Sequence, residues 1–286
     1  MIWVFLSILA GFGDAVSFAI IKKLKKIDVY VKLMLYCLVA LPFLSAGFLY
    51  YEFPKVSPGF YIIAAINAVV WITASLLLMK ALQMSDLSIS IPMLSFTPIF
   101  LLFVSYALLN EFPGFAGLAG IFVVVAGSYI LNMPSAKYGY LEPFKSIFRN
   151  RGIFYMLIVA FLFSITASLA KIAINLSNPA YFMFVHYLIA SAILTPLFFN
   201  KLKKNKKQVK QNYKIFLLMG IAVAFTELVV AAAFKLAIVP YVISLKRSSI
   251  VFSVLIGFIM FKEKFAMERI FGTALMLLGV ILITLF

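Results

Sequence analysis

Ten apolar stretches divide the chain, at roughly 2–21, 29–51, 59–80, 87–109, 115–132, 152–174, 180–199, 214–236, 241–261 and 267–286. Each approaches the ~20 residues with which a helix crosses the hydrocarbon core of a bilayer. Short charged or turn-forming breaks separate them, such as Lys22-Lys23-Leu24-Lys25-Lys26, Pro54 to Pro58, Glu111-Phe112-Pro113-Gly114 and Lys262-Glu263-Lys264. None alternates in the manner of a membrane β-strand, so the pattern predicts helices. The gaps near 81–86 and 237–240 predict tight hairpins. Two breaks are longer and polar: 134–151 at the chain's midpoint, and 201–214, whose seven lysines read as a solvated, mobile loop.

The pattern repeats. Residues 110–131 match 262–283 at an offset of 152, with Glu111 on Glu263, Gly120 on Gly272 and Gly127 on Gly279. More loosely, Ser17 to Lys22 matches Thr166 to Lys171. Residues 1–132 and 152–286 therefore read as duplicated five-helix units joined by 133–151. Five is odd, so the second unit enters the membrane with the opposite orientation. The fold class expected is an all-α membrane protein, ten transmembrane helices arranged as two inverted five-helix repeats.

Charge adds a direction. Twenty of the 25 basic residues fall in or beside the breaks after helices 1, 3, 5, 7 and 9, against three after helices 2, 4, 6 and 8. Basic loops stay in the cytoplasm, which places the odd-numbered loops inside and both termini outside a plasma membrane. The same rule accounts for the net charge of +16; membrane lipids are the partner it fits, and nucleic acid is excluded for want of a soluble domain to present a basic patch. With 65% hydrophobic and 12% charged residues and a mean hydropathy of +1.12, the chain lies far from soluble composition. Cys37 and His186 are each the sole residue of their type, so no intramolecular disulfide, metal centre or cofactor is expected. The first stretch lacks the basic start and cleavage-like end of a signal peptide and reads as a span.

Polar residues are costly in a membrane, ~2.5–3.5 kcal/mol for a charge at a helix centre, so their positions nominate a site. Helix 1 sets Ser7, Gly11, Asp14 and Ser17 on one face, and helix 6 sets Ser164, Ser168, Lys171 and Asn175 likewise. Helix 4 carries Ser88, Pro92 and Ser95, and helix 9 carries Ser244, Arg247 and Ser248. Asp14 reads either as a buried carboxylate bonded to a hydroxyl or lysine, or as a site for a proton or a substrate amine. Glu227 stands in the same position, with Lys246 or Arg247 as ion-pair partners. Lys246 and Arg247 either snorkel to the interface or face inward, where Arg247 offers a fork for a carboxylate or phosphate. Asn67 and Trp71, one turn apart, are candidates to line a cavity by hydrogen bonding and stacking; Trp71 reads equally as packing. His186 reads as a core histidine; Lys80, Lys171 and Lys235 as snorkelling. Glu111 and Glu263 read as turn-fixing. Gly117, Gly120, Gly272 and Gly279 read as surfaces for close helix contact, within the chain or in a homodimer.

The half-ending blocks, Leu109-Asn110-Glu111-Phe112 with Gly120 and Gly127, and Phe261-Lys262-Glu263-Lys264-Phe265 with Gly272 and Gly279, resemble those of the drug/metabolite transporter superfamily, specifically its EamA-type ten-helix permeases. The run Leu245 to Phe252 is similar to one branch of that family. The resemblance spans essentially the whole chain. It implies helices 1, 3, 4, 6, 8 and 9 around a central cavity, with 2, 5, 7 and 10 peripheral. It also implies secondary active export or exchange of metabolites, not enzymatic chemistry. Many members keep both termini in the cytosol, against the charge reading here.

The leading functional reading is thus an alternating-access transporter of a small polar metabolite, amino acids first, with protons as a candidate coupling ion. Its candidate substrate site comprises Asp14, Ser17, Asn67, Trp71, Ser95, Ser164, Ser168, Glu227, Ser244, Arg247 and Ser248. A lipid-linked sugar flippase, or a subunit of one, is the alternative and needs a groove open sideways to lipid.

Overall fold

A computed structural model of the protein describes residues 1–24, 27–84, 91–132, 150–261 and 267–285. Ser88, Glu263 and most of the segment between the halves lie outside the described residues. The helices, in chain order, are α1 (Ile2–Lys23), α2 (Val29–Leu44, continued as a 3-10 turn over Ser45–Leu49) and α3 (Pro58–Met84). Then come α4 (a 3-10 segment, Ile91–Phe96, leading into Thr97–Leu109) and α5 (Phe115–Asn132). The second half contains α6 (Arg151–Asn175), α7 (Pro179–Gln211), α8 (Tyr213–Leu236), α9 (Val239–Lys246 and Ser248–Phe261) and α10 (Met267–Leu285). Every predicted apolar stretch contains a helix, and apart from α7, which runs well past 199, the described ends lie within one or two turns of the expected ones.

Local chemistry sets several of those ends. Asp28 caps α2 by accepting from the Tyr30 N–H at 2.9 Å, and Asn150 caps α6 through Gly152 N–H at 2.9 Å. Asn178 caps α7 through the Tyr181 N–H at 2.8 Å, with Pro179 following it, where the missing N–H costs nothing. One expectation is overturned. The lysine-rich stretch after 200 is not a loop: α7 runs on to Gln211, so lysine, glutamine and asparagine, adequate helix formers, extend it past the apolar segment. Leu202 and Val209 rest against the core while Lys203, Lys204, Lys206, Lys207 and Lys210 are exposed, which makes the extension amphipathic.

The helix pairs obey a two-fold relation between the halves. Helix α1 packs on α8 as α3 packs on α6; α1 meets α9 as α4 meets α6; α2 meets α8 as α3 meets α7. The self-related pairs are α2 with α7, α4 with α9 and α5 with α10. Gly120 faces Gly279 and Gly127 faces Gly272, so α5 and α10 cross antiparallel along their glycines. A Cβ on Gly120 would stand 2.8 Å from the Gly279 carbonyl oxygen, and one on Gly127 would stand 2.7 Å from that of Gly272. Backbones this close admit no side chain. The glycine faces are therefore used inside the chain, which removes the observation that suggested a homodimer.

Among the described residues, six helices are long and apolar enough to cross a membrane, with shorter apolar helices at Met93–Leu109, Phe115–Ile130 and Phe271–Thr284. Large apolar side chains such as Phe5, Phe18, Phe103, Leu217 and Phe271 point outward. On a soluble protein such a surface would aggregate; against lipid tails it is at rest, and the helices satisfy their own backbone groups as a bilayer demands.

Candidate functional site

Helices α4 and α9 are both irregular at equivalent places. The repeat offset of 152 sets Ser95 against Arg247: the 3-10 segment of α4 ends at Phe96, and α9 is interrupted at Arg247. There the Arg247 N–H is shared between the carbonyls of Ile243 and Ser244, each at 3.2 Å. The two irregularities touch, since the Arg247 Nη2 donates to the Leu94 carbonyl at 3.0 Å. Helix α1 comes up against the α9 interruption through Gly11, where a Cβ would lie 2.9 Å from the Lys246 carbonyl oxygen. Helix backbones meeting this closely turn the side chains of Lys246 and Arg247 inward.

A cavity of about 260 Å³ lies between these elements. Asp14 from α1, Tyr36 from α2, Asn67 and Trp71 from α3, Thr97 from α4 and Phe163 and Thr166 from α6 border it, with His186 and Tyr187 from α7, Glu227 from α8, and Lys246, Arg247 and Ser249 from α9. Lys246 Nζ lies 3.1 Å from the Asp14 carboxylate, with about a fifth of each side chain accessible. Glu227 sits beside the Tyr187 hydroxyl and in electrostatic range of both Lys246 and Asp14. The Arg247 Nε makes no hydrogen bond among the described residues. Asn67 Nδ2 donates to the Thr166 carbonyl at 2.6 Å, leaving its amide oxygen. Tyr36 stacks between Trp71 and Tyr187, and His186 stands edge-on to Trp71 at 5.6 Å.

Of the residues nominated from sequence, the structure places Asp14, Asn67, Trp71, Glu227 and Arg247 on this cavity and the serines elsewhere. Ser95 pairs with the Ser128 hydroxyl of α5 at 2.7 Å. Ser164 and Ser244 donate back to their own helices, to the carbonyls of Phe161 and Pro240. Ser17, Ser168 and Ser248 are buried in helix contacts, their hydroxyls making no hydrogen bond among the described residues. Periodicity found the inward faces of these helices, but small hydroxyls serve packing as readily as solvation. Glu227 makes no ion pair with Lys246 or Arg247; Asp14 takes Lys246 instead. Lys246 and His186 were under-read, and Tyr36 and Tyr187 were missed because α2 and α7 were expected at the periphery. They line the cavity, and α5 and α10 do not. The regular apolar pattern of α2 and α7 holds no signal of this.

A second buried lysine closes the bundle at the end where the even-numbered connections lie. Lys171 was expected to snorkel. It is instead buried, ion-paired with Glu111 and donating to the Ala237 carbonyl at 2.7 Å. The other Glu111 oxygen accepts from the Val239 N–H at 2.9 Å, at the start of α9. Asn110 makes this reach possible: its left-handed backbone (φ 55°) ends α4 and turns the chain back. On the same side Asn178 Nδ2 donates to the Glu52 carbonyl, and the hydroxyls of Tyr61 and Tyr181 meet at 2.9 Å.

The sequence profile of the EamA-like transporter family matches the chain twice, over residues 1–133 and 150–285. Among solved structures, one described only as the crystal structure of a protein superposes with a TM-score of 0.70, covering 98% of each chain at 15% identity. At that identity the likeness concerns the fold. No curated protein matches the sequence significantly.

Proposed function

From the premise that this chain belongs to the EamA-like transporter family, within the drug/metabolite transporter superfamily, we propose that it is a secondary active carrier moving small zwitterions, amino acids first, by alternating access. The family fixes the coarser statement: a multi-pass membrane transporter of small molecules. The finer reading rests on one observation, the charge inventory of the central cavity. Asp14 and Glu227 are matched by Lys246 and Arg247 in a space of about 260 Å³. That volume lies just below the ~300–1,000 Å³ of pockets for drug-sized ligands. Carboxylates and cations bordering one cavity suit a molecule that carries both an ammonium and a carboxylate, and the rings of Tyr36, Trp71 and Tyr187 supply an apolar bed for its side chain.

Reconstituted protein is expected to exchange labelled amino acids across a vesicle membrane, and to respond to a proton gradient if protons are the coupling ion. Absence of flux for amino acids, sugars and nucleotide-sugars under any imposed gradient would overturn the reading. The flippase alternative needs a groove open sideways to lipid, whereas the carrier reading takes a central cavity lined from eight helices. The charge bias supports odd-numbered loops in the cytoplasm of a plasma-membrane protein. A cysteine at Lys207, in a Cys37→Ser background, is then expected to react with impermeant maleimide only in inside-out vesicles.

A further inference from the structure

Resting on the carrier reading above, we propose that Lys246 is a tethered cation that occupies the substrate-ammonium position at Asp14 in the empty carrier and yields it when substrate enters. Three observations carry this. First, the pair is incompletely bonded. Lys246 Nζ meets Asp14 at 3.1 Å and makes no second hydrogen bond among the described residues, although an ammonium has three donors. Second, both partners line the cavity, with about a fifth of each side chain accessible, so an entering ammonium can reach Asp14 while the flexible four-carbon stem of Lys246 swings aside. Third, its charge completes a balance: without Lys246, Asp14 and Glu227 would face Arg247 alone.

The balance has a transport consequence. A carrier must return through an occluded state in which its empty site is cut off from water, and an unbalanced charge there is heavily penalised. With Lys246 on Asp14 that carboxylate is paired in the empty site, and a substrate ammonium takes the same place in the loaded one, so only an empty carrier without Lys246 would occlude Asp14 unpaired. The empty carrier is therefore free to reorient, and net flux does not require substrate on the far side. Lys246 becomes the residue that separates a net transporter from an obligate exchanger.

The test compares net efflux with counterflow of a labelled amino-acid mixture in proteoliposomes. Lys246→Met, which keeps the stem, is expected to lower the ratio of net to exchange flux by about tenfold or more. Propylammonium added on both faces, a diffusible cation for Asp14, is expected to raise the ratio of Lys246→Met toward that of wild type and to leave the wild-type ratio unmoved. A ratio unchanged in Lys246→Met overturns the proposal. A separate readout needs no transport substrate. Lys246→Ala is expected to gain thermal stability in propylammonium and none in tetramethylammonium, which has no N–H to donate. Wild type that moves no amino acid would sink the functional reading alone. In that case stabilisation by propylammonium supports the ammonium position at Asp14, and its absence overturns it.

Discussion

Among the described residues two lysines inside the bundle stand beside carboxylates, Lys171 buried and Lys246 half-buried, and their surroundings differ in what they leave unsatisfied. Lys171 is held by Glu111 and by the Ala237 carbonyl, while the second Glu111 oxygen is held by the start of α9. Those contacts join α4, α6 and α9, and neither Lys171 nor Glu111 lines the central cavity. Lys246 holds Asp14 alone, next to a cavity of about 260 Å³. The first pair is bonded like a structural joint, the second like a site awaiting another partner. Burial of charge does not by itself mark function; the unfilled hydrogen-bonding capacity around it is more informative.

Stability measurements can break that comparison, and the largest effect belongs there. Lys171→Met leaves Glu111 buried without its counter-charge, which is expected to cost ~3–5 kcal/mol. Lys171→Met with Glu111→Gln should recover part of the loss. Lys246→Met leaves Asp14 beside a cavity that water can enter, with Arg247 near, so its cost should be smaller, ~1–2 kcal/mol. Denaturation in detergent of the single variants and the pair checks this; equal costs for the two lysines would erase the distinction.

Much of this architecture was written in the order of residues, and the limits have physical causes. The apolar stretches, the offset of 152 and the Gly120–Gly279 and Gly127–Gly272 crossing follow from local patterns and from duplication, which sequence displays directly. Asp14, Glu227 and Arg247 stood out because charge inside a membrane is expensive wherever it points. What sequence lacked was rotation about each helix axis. The serines share faces with Asp14 or Arg247, yet their short side chains end in helix contacts. Tyr36 and Tyr187 lie on helices whose composition resembles any lipid-facing span, and only the packing of α2 on α7 brings them inward. Lys171 and Glu111 are far apart in the chain, and no local signal joined them.

A middle-sized effect sharpens the functional side of the comparison. Among the described residues Arg247 is held by one carbonyl, at 3.0 Å, and its Nε has no partner; like Lys246 it keeps capacity in reserve. If that reserve binds a carboxylate, Arg247→Ala removes a charge-assisted hydrogen bond of ~1.5–3 kcal/mol, or about 10–100-fold in affinity. Binding of amino acids should fall by that factor while binding of the corresponding decarboxylated amines falls much less. Calorimetry on the purified protein measures both, and unchanged amino-acid binding would remove Arg247 from the site.

The smallest effects test the same rule among neutral groups. Ser95 has a partner, the Ser128 hydroxyl at 2.7 Å, across α4 and α5. Ser17 and Ser168 are equally buried and make no hydrogen bond among the described residues. Removal of the Ser95 hydroxyl takes away the hydrogen bond to Ser128 and should cost about 0.6–1 kcal/mol. Loss of an unpaired hydroxyl removes a polar atom that had already lost its water, so Ser17→Ala and Ser168→Ala should be neutral or slightly stabilising. Transport in both should stay within about twofold of wild type, since neither borders the cavity. A large transport defect in either, with stability intact, would show that a hydroxyl hidden in this arrangement reaches the cavity during the cycle. The place to look would then be the α1 and α6 faces that the sequence first singled out.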